Sequence, residues 1–392
     1  MVDEIMIVRH LESIIQSRLG GKKAVVILGP RQCGKTTLLR QIEKKLSQKT
    51  LWLNGDDPGI REMLANQGIT MLKRMFSGEE ILIIDEAQRI ENIGILLKMI
   101  IDNMPETQVL ATGSSAFELT DKIKEPLTGR KWEYNLYPIS FEEMCKHHGP
   151  WEEFGLLENR MIYGYYPEIV TSAADQREIL AQLTDSYLYK DILVLDSIKK
   201  PSKIETLLKA LAFQVGNEVT YHELSQIVQL DKETVEKYIY LLEQAFIIFR
   251  LTSFARNLRN ELKRSRKIYF YDNGIRNMLI SNLTPLQNRQ DTGALWENFL
   301  VSERIKYTHY HRIYANHYFW RTHAQQEIDY IEERDGKLYA FEFKWNPVKK
   351  TRFPKSFLEA YPDSVTQILT KDNFMQFIVS EQTSFPISRI DP

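Results

Sequence analysis

A chain of 392 residues is too long for one ordinary hydrophobic core and predicts two or three domains. Hydrophobic residues at 43% and charged residues at 26% are those of a globular protein in water, and no apolar run approaches the roughly 20 residues of a membrane span. Two cysteines, Cys33 and Cys145, exclude a disulfide framework, and a net charge of -1 decides nothing about nucleic acid until the charges are located along the chain.

The N-terminal stretch mixes acidic and apolar residues and does not read as a secretory signal, so the expected location is the cytoplasm, with no membrane partner. From Ala24 the chain reads "AVVILGPRQCGKTTLLRQIEKKL". The apolar run predicts a buried parallel strand, and Leu38, Leu39, Ile42 and Leu46 recur at helical spacing. Between strand and helix, Gly29, four residues and then Gly34, Lys35 and Thr36 form the P-loop pattern in its proper context. Glycines let backbone N–H groups turn toward phosphates, and the helix adds its positive N-terminal end. The expected nucleotide-binding set is Gly29, Pro30, Arg31, Gln32, Cys33, Gly34, Lys35, Thr36 and Thr37, with Lys35 on the β and γ phosphates of ATP and Thr36 on Mg²⁺.

A second buried strand, Ile81 to Ile84, ends in Asp85 and Glu86. Asp85 is expected to hold Mg²⁺ and Glu86 to orient or deprotonate the attacking water. A third strand ends in Thr112, Ser114 and Ser115, and Ser114 is the candidate sensor of the γ-phosphate. In "LTGRKW", Arg130 follows a glycine in an exposed turn; it is either a solvated surface residue or an arginine finger for a neighbouring subunit, which requires a homo-oligomer.

"GPRQCGKTTLL", "LNGDDP", "ILIIDEAQ", "LATGSS", "LTGR" and "LYPISFEE" together resemble the landmarks of a bacterial and archaeal family of AAA+-type ATPases, and the likeness extends into "KIYFYDNGIRN" and "ALWENFL". The resemblance implies a P-loop domain, a winged helix and a restriction-endonuclease-like domain. The expected α/β architecture is a P-loop NTPase parallel sheet (1–140), a helical lid or linker (141–200), a winged helix (201–280) and an α/β restriction-endonuclease-like domain (281–392). "YGYYPEIV" departs from the family pattern, with Tyr165 where paired glycines are more usual.

Further along, apolar spacing from Ile204 to Val215 marks a helix; Thr220 with Glu223 reads as a capping box, and Asp231 as the cap of a third helix. "FIIFRLTSF" and "KIYFYD" read as two strands around a wing. The third helix carries Asp231, Glu233, Glu236 and Glu243 against Lys232 and Lys237, a balance that repels phosphate. The wing carries Arg256, Arg259, Lys263, Arg264, Arg266 and Lys267 against Glu261, which is either a solvated face or a surface that holds DNA by its phosphates.

Near the end, "EIDYIEERDGKLYAFEFKW" reads as a hairpin turning at Asp335 and Gly336. Glu342 and Lys344 share one strand face, and Phe341, Phe343 and Trp345 the other. Asp329, Glu342 and Lys344 match the D…E-x-K set of restriction-type nucleases, with Glu297 as the helical acid before it. Two carboxylates suit a second divalent cation, and a lysine suits water activation; the same Glu-Lys pair also suits a structural ion pair. His309, His311, His317 and His323 lack ligand spacing and read as surface or strand residues. Two functions fit these features: an ATP-hydrolysing enzyme acting on or regulated by DNA, with a nuclease-like domain, or an ATP-dependent switch or assembly protein that cuts nothing.

Overall fold

The structure, a computed structural model, describes residues 6–114, 123, 126–172, 174–193, 201–254, 266–322, 324–346 and 352–383. These fall into two compact units, one built from Val8–Pro138 with Gln244–Phe246, the other from Ile139–Glu243 and Ile247–Pro392 with the residues before Val8.

The first unit holds strands β1 Ala24–Leu28, β2 Thr50–Asn54, β3 Ile81–Asp85, β4 Gln108–Gly113 and β5 Lys131–Asn135, in the order β2-β3-β4-β1-β5. Every pairing is parallel. β1, β3 and β4 are buried along their whole length, as expected of central strands covered on both faces. Because β4 lies between β1 and β3, with Leu28 opposite Gly113 and Ile84 opposite Ala111, the three strands end side by side. Ligands of open parallel sheets bind beyond this carboxyl edge.

The second unit begins with helices Phe141–His148, Pro150–Gly155, Leu157–Tyr163, Pro167–Thr171 and Gln176–Leu193. Ser140 and Glu143 close a reciprocal capping box on the first of them. Helices Pro201–Phe213, Tyr221–Val228 and Lys232–Gln244 follow, with Thr220 and Asp231 capping the last two as their side chains predict. Strands β6 Glu218–Val219, β7 Ile248–Ser253 and β8 Arg266–Phe270 then join β9 Asn316–Arg321, β10 Glu327–Arg334, β11 Lys337–Phe343 and β12 Val365–Leu369 in one seven-stranded sheet, ordered β12-β11-β10-β9-β7-β8-β6. The seam is the parallel pair β7–β9, where Thr252 meets Tyr318 and Ser253 meets Phe319. Residues 201–280 and 281–392, expected as separate domains, therefore share backbone hydrogen bonds across a continuous sheet.

The hairpin turn reads as expected, with Asp335 and Gly336 both at positive φ (51° and 73°) between β10 and β11. Helix Thr292–Tyr310 packs Trp296 and Phe299 onto Phe341, Phe343, Phe374 and Phe377, an aromatic core. Tyr165, which departs from the paired-glycine pattern, is buried and tied down: its hydroxyl donates to Glu153 (2.6 Å) and its N–H to Asp272 (2.6 Å). Among the described residues, no helix is long and apolar enough to cross a membrane.

Gly164 sits at φ +81°, and a Cβ there would lie 2.0 Å from the Asp272 carboxylate. Gly164→Ala is expected to destabilise the protein by more than about 1 kcal/mol, since it is strained in both backbone and contact. Urea unfolding of the variant beside wild type checks this.

Candidate functional site

At the carboxyl edge of the first sheet, the loop after β1 carries Gln32 and Gly34 at positive φ (58° and 93°), so that successive peptide units turn inward. A side chain at Gly29 would drive a Cβ to 2.1 Å from the Leu136 carbonyl, so the loop's first position admits only glycine. Beneath the loop, Arg9 donates to the carbonyls of Cys33 and Tyr137 (2.7 Å each). The Cys33 thiol is buried, donates to Leu136 O (3.4 Å) and has its pKa raised by burial, so Cys33 can serve a ligand only through its backbone.

Lys35, 5% exposed, opens the helix Lys35–Lys44, and its ammonium donates to the carbonyls of Gly29 (2.8 Å) and Pro30 (2.7 Å). The exposed Thr36 donates its hydroxyl to Asp85 Oδ2 at 2.8 Å. A hydroxyl and a carboxylate this close, beside a lysine, are the donor set for a hard divalent cation carrying phosphate oxygens, so these residues fit Mg²⁺. Asp85 is buried, and its other oxygen accepts from Thr112 at the end of β4.

Glu86 takes a left-handed conformation (φ 49°, ψ 44°), uncommon away from glycine and held here on two sides. Its N–H donates to Thr112 Oγ1 (3.0 Å), and its carbonyl lies so near Gly55 that a Cβ there would come within 2.3 Å. Gln88 directs both hydrogens of its amide, one to Glu86 Oε2 (2.6 Å) and one to Ser114 Oγ (2.8 Å). Lys35, Thr36, Asp85, Glu86 and Ser114, chosen from sequence, thus converge. Thr112, noted only as a strand-end hydroxyl, holds both acidic residues in place; Gln88 and Gly55 gave no signal beyond lying inside the quoted motifs.

Arg130 does not join them. It precedes β5, its carbonyl accepts from Ala24 N at the start of β1, and the parallel register puts it at the opposite end of the sheet, roughly 16 Å from the loop at about 3.3 Å per residue. Its guanidinium donates to Asp102 (2.7 Å), both side chains being more than a third exposed.

In the second unit, Glu297, Asp329, Glu342 and Lys344 also draw together. Asp329 lies where the β9–β10 register shifts between Ile328 and Ile331, a bulge that re-aims side chains. Asp329 Oδ2 accepts from Phe343 N (2.8 Å), and Lys344 pairs with Glu342 (2.7 Å). Burial pushes the carboxyls of Glu297, Asp329 and Glu342 above their ordinary range. Burial would lower the ammonium of Lys344, but Asp329 and Glu342 outweigh it and hold the group above its usual value.

The sequence reading missed the residue at the centre. Lys267, counted there among the wing's cations, is 1% exposed and ion-paired with Glu297 (2.9 Å) and with Glu327; Tyr269 donates to the same Glu297 oxygen (2.7 Å). Arg266 stacks on Tyr221 (4.3 Å), and residues 255–265, which include Arg256, Arg259, Glu261, Lys263 and Arg264, lie outside the described residues. Ser115 and His323 do too. On the third helix, Glu243 is salt-bridged to Arg250 (2.8 Å). Of the described histidines in that segment, His317 meets Tyr330 OH (2.6 Å), His311 meets Glu142 (2.7 Å), and burial lowers His309 to about 4.

Residues 21–145 match the family model of an AAA domain. Residues 155–287 and 292–389 match two domains of unknown function (DUF8612 and DUF4143). An uncharacterized protein of Mycobacterium tuberculosis is 26% identical over 350 residues, 86% of this chain and 74% of the relative. One of Methanocaldococcus jannaschii is 24% identical over 373 residues, 89% and 81%. Among solved structures, a Walker-type ATPase of Pyrococcus abyssi is similar with a TM-score of 0.48 and 16% identity, over 70% of this chain and 96% of that one. The AAA-domain match over residues 21–145 agrees with the α/β fold of this unit, whose five-stranded parallel sheet matches that of a P-loop NTPase core.

Thr112→Val keeps the shape but removes the hydroxyl shared by Asp85 and Glu86. It is expected to cost about 1–3 kcal/mol by leaving buried groups unpaired, with Thr112→Ser, which keeps the hydroxyl, recovering most of the loss; denaturant titration of both variants checks this.

Proposed function

We propose that the first unit binds ATP with Mg²⁺ and hydrolyses it. The observation that carries this reading is the 2.8 Å bond from Thr36 to Asp85, because it joins loop and acidic strand end at the one place where both would face a triphosphate. In this reading Lys35 exchanges the Gly29 and Pro30 carbonyls for the β and γ phosphates, and the backbone N–H groups from Arg31 to Thr37 carry the remaining phosphate contacts. Thr36 and Asp85 would hold Mg²⁺, which when bound supplies charge neutralisation between the phosphates. Glu86 orients and deprotonates water, and Gln88 with Ser114 sets where its carboxylate points. With Ser114 as the sensor of the γ-phosphate, the state of that phosphate would reach Glu86 through Gln88. Arg130 enters only as a residue supplied to a second copy of the chain, after release from Asp102.

In the second unit, three helices followed by the β7–β8 pair support the winged-helix reading, in which contact with DNA falls to Lys263, Arg264 and their neighbours and not to Lys267. Of the two functions the sequence leaves open, the conformational switch that cuts nothing is favoured by one observation: the acid cluster that would hold a nuclease's cation already holds a lysine.

Lys35→Ala should abolish ATP uptake measured by calorimetry. Glu86→Gln should keep uptake and slow phosphate release by about 10²–10⁴-fold, the usual worth of a general base. Full turnover in either variant would remove the hydrolysis mechanism. Lys263→Glu with Arg264→Glu should release the protein from immobilised DNA at low salt, whereas unchanged retention would end the wing reading.

A further inference from the structure

A restriction-type nuclease site needs its carboxylates free to share a divalent cation. The cluster on the second sheet is arranged otherwise. Among the described residues, Glu297, Asp329 and Glu342 do not bring one oxygen each within 4.8 Å of the others. Each already has a partner: Glu297 has Lys267 and Tyr269, Asp329 has the Phe343 N–H, and Glu342 has Lys344. Lys267 also pairs with Glu327, which Arg321 approaches from the outer side at 3.5 Å.

The position of Lys267 gives the arrangement its permanence. It sits inside β8, paired with Glu218 of β6 on one side and Leu251 of β7 on the other, so strand pairing on both edges fixes its backbone. An ammonium buried to 1% exposure costs several kcal/mol unless carboxylates surround it. Those carboxylates are likewise costly without a cation. A divalent ion entering the same oxygens would share them with an ammonium already 2.9 Å from the Glu297 carboxylate. The two cations compete for one place.

We propose that Lys267 is the built-in counter-cation of this cluster and closes it to divalent metal, so that the unit carries the outline of a metal site whose place is taken by a side chain. Removing that one charge should open the site. This inference is independent of nucleotide chemistry in the first unit.

The test is Mn²⁺ uptake by the full-length, nucleotide-free protein, with free Mn²⁺ counted by electron paramagnetic resonance. Wild type and Asp329→Asn are expected to take up the same amount, any ion at the P-loop being common to both. Lys267→Met should take up one ion more than wild type, and Lys267→Met with Asp329→Asn should lose it. If wild type takes up one ion more than Asp329→Asn, or if folded Lys267→Met takes up no more than wild type, the proposal is overturned. Should Lys267→Met not fold, the comparison of wild type with Asp329→Asn and Glu342→Gln decides alone. Mg²⁺- or Mn²⁺-dependent DNA cleavage by wild type that is lost in Asp329→Asn also overturns it.

Discussion

A carboxylate buried at the end of a parallel strand must be satisfied by its neighbours, and in the first unit that requirement organises everything around Asp85. One oxygen takes the hydroxyl of Thr36 from the helix after the glycine loop, and the other takes the hydroxyl of Thr112 from the neighbouring strand. Two strand ends and the start of a helix are thereby joined at one buried group. The same hydroxyl of Thr112 accepts the Glu86 N–H, so the residue after the buried acid inherits a defined, left-handed backbone and a fixed place for its side chain. Positioning of this kind comes from the sheet order, since β4 stands between β1 and β3.

The two units solve one electrostatic problem in opposite ways. Near Asp85 the ammonium of Lys35 rests on carbonyl oxygens, neutral acceptors it can leave at modest cost when a more strongly charged partner arrives. Near Glu297 the ammonium of Lys267 rests on carboxylates, within a strand paired on both edges, and leaving would strand several buried charges at once. One lysine rests on neutral acceptors and the other is a fixed part of the fold.

This contrast also separates what was legible in the sequence from what was not. Gly29, Gly34, Lys35 and Thr36 carry their geometry in local spacing, because the loop and the start of the helix are contiguous; the apolar runs before Leu28, Asp85 and Gly113 announce central strands in the same way. The roles of Thr112 and Gln88 depend on which strands are neighbours, and a parallel sheet with crossovers hides that from any short window. Lys267 was grouped with the wing cations because charge runs are local, while its partners Glu297 and Glu327 come 30 and 60 residues later on a helix and another strand. Arg130 follows the same logic: its turn is visible, but its end of the sheet follows only from the parallel register of β5 with β1. The expected separation at 280/281 rested on a change of pattern, which does not reveal that β7 pairs with β9.

The central claim is that Thr36 and Asp85 form one cation site joined to the glycine loop. Its most direct test is the Mg²⁺ dependence of ATP affinity in wild type and Asp85→Asn. The account predicts that wild type binds ATP more tightly with Mg²⁺ than with a chelator and that the variant loses most of this difference while keeping its fold. An Asp85→Asn protein whose affinity responds to Mg²⁺ as strongly as wild type would contradict it.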